Sequence, residues 1–185
     1  MKYRTWIVLL ILVIITVFLL SKVLITNNSA DIKNINEVNN MKIESDVFIN
    51  NGRIPVEYTC NGGGAEVPLS ISGVPEEAKS LALLVDDPDA PSGDFVHWVV
   101  WNIDPKVSAI EGKPVGSVEG HTSLGKPGYV PPCPPSGVHH YYFKLYALDT
   151  VLSIAKSSGK EDLLRAMEGH ILGSSKLVGL YGREM

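Results

Sequence analysis

Two stretches of the chain concentrate side chains able to accept, donate or shuttle protons. Asp86–Trp98 reads DDPDAPSGDFVHW, and Pro131–Tyr142 reads PPCPPSGVHHYY. Ionised carboxylates only accept hydrogen bonds, phenols both donate and accept, and a neutral imidazole does one at each nitrogen. Such a set, brought together, suits a small anionic or zwitterionic ligand. Each residue also has a plainer reading. Asp86, Asp89 and Asp94 can serve a turn by bonding their own backbone. Asp87 precedes Pro88 and is biased toward extended backbone. A single histidine at a strand end is more often a half-buried, satisfied side chain than a ligand.

The elements around these stretches decide whether they meet. Short apolar runs predict strands at Ile43–Ile49, Pro68–Ser72, Ser80–Val85, Phe95–Ile103 and Tyr141–Leu148. Gly- and Pro-rich segments separate them. Strand alternation places Phe95, His97, Val99, Trp101 and Ile103 on one face, with Trp98, Val100 and Asn102 on the other. Along the later strand it groups His139, Tyr141, Phe143, Leu145 and Ala147, and turns His140 away. Each strand thus opens on a polar ring and continues apolar. Two such ends side by side make a pocket with apolar walls and polar donors at its mouth. The residues from 112 to 135 read as one long loop, a length that usually signals function. A helix is predicted over Gly159–Met167, with acids in its first turn and Leu163, Leu164 and Met167 on one face. A further helical segment is expected over Glu168–Leu172.

The chain has 185 residues and a net charge of −4, without a Lys/Arg cluster in its globular part. This argues against a nucleic-acid partner. Residues 1–25 carry a basic start and then an uncharged run from Thr5 to Leu20. With Lys22 snorkelling, the segment approaches the roughly 20 apolar residues of a membrane span. A transmembrane signal-anchor is therefore expected over 1–25, a flexible linker over 26–40 and the globular domain over 41–185. Lys2 and Arg4 favour a cytoplasmic N-terminus and an extracytoplasmic domain. The alternative is secretion after signal-peptide cleavage. The two cysteines, Cys60 and Cys133, permit a disulfide in such a compartment and are otherwise two buried thiols.

Four segments together carry a family resemblance: EYTCNGGGAEVPLSI at 57–71, DDPDAPSGDFVHWVVWNI at 86–103, GKPGYVPPCPPSGVHHYYFKLYALD at 125–149, and AMEGHILGSSKLVGLYGR at 166–183. The chain resembles the phosphatidylethanolamine-binding protein (PEBP) family in its bacterial and archaeal, Raf kinase inhibitor-like branch. The resemblance implies a mostly β protein: an antiparallel β-sandwich with one or two C-terminal helices, here preceded by the N-terminal transmembrane helix. It also implies a small anion pocket for phosphate or phosphorylethanolamine-like ligands. Carried over by position, the pocket residues are Asp87, His97, His139 and Tyr141, with Pro134 and Pro135 at the rim. Pro131 departs from the family's usual glycine, which removes an N–H donor and positive-φ freedom at the rim. The loop GHTSLG at 120–125 also departs from the branch's usual Asn-Asp-containing pattern.

These readings predict a binding protein without cofactor, metal or enzymatic activity, whose ligand is small and anionic or zwitterionic. Its affinity is expected to fall as pH rises through the histidine titration. A kinase or protease inhibitor acting through surface loops is the alternative. A hydrolase is the lesser one, since neither an H-E-x-x-H spacing nor a nucleophile elbow is present.

Overall fold

The computed structural model describes residues 40–183. Its strands are β1 (Lys42–Glu44), β2 (Gly52–Arg53), β3 (Leu69–Ser72), β4 (Ser80–Asp87), β5 (Phe95–Ile103), β6 (Ala109–Ile110), β7 (Val118–Glu119), β8 (Val138–Leu148) and β9 (Ile171–Gly182). One α-helix among the described residues, α1 (Lys160–Met167), precedes β9. The strands form a three-stranded sheet, β1-β3-β6, and a six-stranded sheet, β2-β9-β8-β4-β5-β7. Pairing is antiparallel throughout except for the short parallel contact of β2 with β9.

The large sheet is covered on both faces. Against the small sheet it presents Leu81, Leu83, Val85, Trp98, Val100, Tyr141, Phe143 and Leu145, which pack with Ile43, Leu69, Ile71 and Ile110. On the opposite face Ala82, Leu84, Val96, Val99 and Trp101 pack with Leu163 and Met167 of α1. This explains why SLALLV does not alternate: every residue of β4 is buried, as expected for a central strand with two covered faces.

Face alternation holds along β8 and breaks along β5. The register of β4 on β5 slips between Val85–Trp98 and Asp86–Val96, and again between Leu81–Ile103 and Leu83–Val100. At the first bulge His97 and Trp98 both turn toward the small-sheet side, so Val99 and Trp101 move to the helix side. The expected common face of His97 with Val99 and Trp101 is therefore corrected. The second bulge carries Asn102 at φ 57°. Its side-chain amide exchanges two hydrogen bonds with the backbone of Leu152, at 2.9 and 2.8 Å, which holds a non-glycine residue in this conformation.

Three further expectations change. The expected fold class included an N-terminal transmembrane helix. Among the described residues no helix is long and apolar enough to cross a membrane, and the structure gives that helix no support. The segment 1–25 lies outside the described residues, as does the linker 26–40 apart from Asn40. Second, the helical segment expected over Glu168–Leu172 is absent: the helix ends at Met167, Gly169 takes φ 78°, and β9 begins at Ile171. Third, the strand expected over Ile43–Ile49 ends at Glu44.

Candidate functional site

The site forms where the start of β5, the end of β4 and the start of β8 converge. Asp87 is the last residue of β4 and pairs with Phe95, the first of β5. The DDPDAPSGD loop thus joins two neighbouring strands directly above the site. Asp87 is buried, and both carboxylate oxygens are occupied. Oδ1 accepts from the backbone N–H of Asp89 at 2.9 Å, and Oδ2 accepts from Nδ1 of His139 at 2.7 Å. The first of these is a side chain bonding its backbone two residues on, which fixes the loop. The turn-type bond belongs to Asp87 rather than to Asp86, Asp89 or Asp94. Asp89 instead accepts from His140, whose hydrogen bond holds the Asp89 carboxyl below its ordinary value. His140 lies outside the cavity, as its strand parity predicts.

His97 donates from Nδ1 to the carbonyl of Val130 at 2.7 Å, while Val130 N–H donates back to the His97 carbonyl at 2.9 Å. This pair anchors the long loop to β5 and fixes the imidazole tautomer. The His97 ring lies edge-on to Tyr141, with ring centroids 5.2 Å apart. His139 stacks near Tyr141 at 6.5 Å. Burial pushes the His97 imidazole below its ordinary pKa, against the opposing pull of the Val130 carbonyl and Asp87. Burial also pushes the Tyr141 phenol up, with the Asp87 charge adding to the effect. Both groups are thus neutral near pH 7.

Asp87, His97, His139, Tyr141, Pro134 and Pro135 all line one cavity of about 170 Å³. Pro131 lines it as well, without closing it. Residues not anticipated from sequence complete the wall: Ala90, Pro91, Ser92, Phe95, Val130 and Cys133. The Asp-Pro loop and the proline segment both flank a named site residue, and that adjacency was the signal available for them. Cys60 and Cys133 are disulfide-bonded with Cα atoms 5.3 Å apart. Two polar atoms on the cavity residues are buried without a formed hydrogen bond, His97 Nε2 and Tyr141 Oη. The Cys133 backbone N–H lies close enough to Tyr141 Oη to hold back the rise of its pKa, so His97 Nε2 is the barer of the two. Larger cavities exist beside β7 and α1, one of about 600 Å³ lined by Lys113, Ser117, His121 and Lys156 among others. None of them is lined by an unpartnered buried polar atom. His121, in the GHTSLG loop, lines two of these. Among the described residues no group of three or more His, Cys, Asp or Glu is arranged to hold a metal.

A β-sandwich with a small cavity at its strand ends, walled mainly by apolar groups with a few polar side chains, has the build of a small-ligand-binding protein. The family model for phosphatidylethanolamine-binding protein matches residues 44–182. The UPF0098 protein of Methanothermobacter thermautotrophicus is 53% identical over 150 residues, covering 77% of this chain and 99% of that relative. A PEBP homolog from Chlamydia trachomatis has a solved structure with TM-score 0.75 and 46% identity, covering 78% of this chain and 98% of that one. Escherichia coli YbcL, described as a new member of the mammalian PEBP family, gives TM-score 0.72 at 28% identity, with 78% and 99% coverage. The chain belongs to the phosphatidylethanolamine-binding protein family.

Proposed function

We propose that the domain binds a small anion of the phosphate or phosphorylethanolamine type in the Asp87–His97–His139–Tyr141 cavity. The observation that carries this reading is the pair of unpartnered buried atoms, His97 Nε2 and Tyr141 Oη. Leaving a buried polar group unsatisfied costs about 1–3 kcal/mol, so two on one cavity favour a polar occupant. Tyr141, neutral by its raised pKa, donates to a ligand oxygen. His97 has spent its Nδ1–H on Val130, so neutral Nε2 accepts from a protonated ligand oxygen. Once protonated, it donates instead, as a charge-assisted bond. Asp87 is not the ligand's competitor, because His139 and the Asp89 amide already occupy it. It acts as the post that orients His139. The volume of about 170 Å³ falls below the roughly 300–1,000 Å³ typical of drug-sized ligands. This favours a head group over a whole lipid.

The test follows the histidine side-chain NMR signals of the full chain during titration with phosphate and with phosphorylethanolamine. The His97 and His139 signals are expected to shift with saturation, and Asp87→Ala is expected to remove the response. Signals that stay still up to millimolar ligand would overturn the reading and leave the surface loops as the working face.

A further inference from the structure

The cavity wall includes a disulfide sulfur, and three observations converge on it. First, both cysteines are exposed. Second, Arg183 lies against the bond: its Nη2 is 2.9 Å from Cys133 Sγ and 3.4 Å from Cys60 Sγ. A guidinium group beside sulfur favours the thiolate and so makes that sulfur the better leaving group. Third, the rim that carries Cys133 has few other ties. Pro131, Pro132, Pro134 and Pro135 have no N–H to donate. Besides the Val130–His97 pair and the Cys133 N–H that approaches Tyr141 Oη, the rim is tied to another segment by the hydrogen bond from Cys60 N–H to the Pro132 carbonyl at 3.0 Å. That bond also depends on the Cys60 loop staying in place. The same loop touches the rim at Gly64, where an added methyl would sit 3.4 Å from Pro131 Cγ.

We propose that Cys60–Cys133 is a redox site, opened by a dithiol, that sets the position of the cavity rim. One thiolate of the dithiol attacks the exposed Cys60 Sγ. The Cys60–Cys133 bond breaks, and its electron pair leaves on Cys133 as a thiolate held by Arg183. The second thiolate of the dithiol then displaces Cys60. The dithiol gives up two electrons and two protons and becomes a disulfide; Cys60 keeps one proton and the other passes to solvent. Freed from Cys60, the rim from Pro131 to Pro135 loses its tie to the Cys60 loop and the cavity loses its preorganised wall. The redox step stands on the disulfide alone; its effect on ligand rests on the anion-binding reading above.

The experiment treats the folded full chain with graded dithiothreitol and counts thiols by alkylation and mass spectrometry without denaturant. Both cysteines are expected to be labelled while the chain stays folded. Arg183→Gln is expected to slow reduction about tenfold, with Arg183→Lys keeping most of the rate. The His97 and Tyr141 NMR signals are expected to move on reduction, and phosphate affinity to fall about tenfold through lost preorganisation. Reduction that occurs only on unfolding, or at a rate indifferent to Arg183→Gln, overturns the redox site. Reduction that leaves the His97 and Tyr141 signals unmoved overturns the coupling to the rim. If phosphate binds neither oxidised nor reduced protein, the anion reading fails, and the reduction rates and imidazole signals still decide the proposal.

Discussion

Asp86 and Asp87 are neighbours in β4, both buried, and they serve opposite sides of one sheet. Asp86 faces the helix side, where Oδ2 accepts from Lys144 at 2.7 Å and from Lys160 at 2.8 Å. Lys160 also pairs with Asp94, which ties the Asp-Pro loop to the start of α1. Burial alone would lower the Lys160 ammonium, but the carboxylates of Asp86 and Asp94 outweigh it and leave it above its ordinary value. Asp87 faces the cavity, where it holds one imidazole and one amide. The first cluster meets charge with charge; Lys160 and Asp94 border a cavity of about 340 Å³, but the one unpaired atom there, Asp86 Oδ1, does not line it. The second spends its carboxylate on positioning and leaves His97 Nε2 and Tyr141 Oη to a cavity. Function is thus marked by unpaired polar groups that line a cavity, since Asp86 Oδ1 is also buried and unpaired but lines none of the cavities described.

The comparison predicts a separation of stability from binding. Asp86→Ala removes the buried acceptor shared by Lys144 and Lys160 and leaves Lys160, whose side chain is only 15% exposed, to Asp94 alone. It should cost about 3 kcal/mol, the low end for breaking a buried pair. Urea unfolding measures this, and phosphate affinity of the folded fraction should be unchanged. Asp87→Ala leaves the Asp89 amide and His139 Nδ1 without their acceptor, a loss of about 2 kcal/mol, and should abolish the phosphate response. If Asp86→Ala abolished binding in folded protein while Asp87→Ala spared it, the division between the two acids would be wrong.

A smaller effect comes from His97, only 4% exposed. Its folded-state pKa lies below the unfolded value of 6.5, so the imidazole contributes no penalty above that pH. As pH falls below 6.5, the unfolded chain binds the proton first and stability is lost until the lowered folded pKa is passed. The slope attributable to this one group reaches at most about 1.4 kcal/mol per pH unit. Urea midpoints measured from neutral to mildly acid pH should show it, and His97→Gln should reduce it. Saturating phosphate should flatten it too, because a bound anion favours the protonated ring. For the same reason affinity should fall as pH rises; an affinity flat across this range would contradict the role given to His97.

The sequence made the site more legible than the surrounding sheet. DPDAP, H-W and H-x-Y sit at strand ends where alternation is short and the turn chemistry strong, which points to a polar pocket mouth. Grouping Asp87 with His97, His139 and Tyr141 rests on the family resemblance, because spacing alone does not bring the acid to the imidazoles. Beyond His97 the parity failed, because a bulge leaves no mark in a run as uniformly apolar as VHWVVW. The strand β9 was hidden for another reason. Its Gly-Ser start and internal glycines dilute the alternation, yet Gly179 is required by contact: an added methyl would lie 2.5 Å from Ile54 Cγ1. The Asp86–Lys144–Lys160 cluster was invisible because its members come from three elements far apart in the chain. Its one local hint is an acid ending a fully apolar strand, which equally fits a turn.

Pro131 gives the finest test, because two physical effects of one substitution point in opposite directions. Proline limits the unfolded chain and stiffens the rim against Gly64, so Pro131→Gly should lower stability by about 0.7 kcal/mol. Glycine also restores a backbone N–H on the cavity wall, a donor that an anionic oxygen can use. Phosphate affinity should therefore rise severalfold in calorimetric titration, even as the urea midpoint falls. Asp86 variants should show no such opposition, since nothing on the helix side of β4 meets the ligand. A Pro131→Gly protein that lost affinity along with stability would mean that rim stiffness outweighs the added donor. In that case the cavity depends more on its preorganised wall than on the number of groups facing the anion.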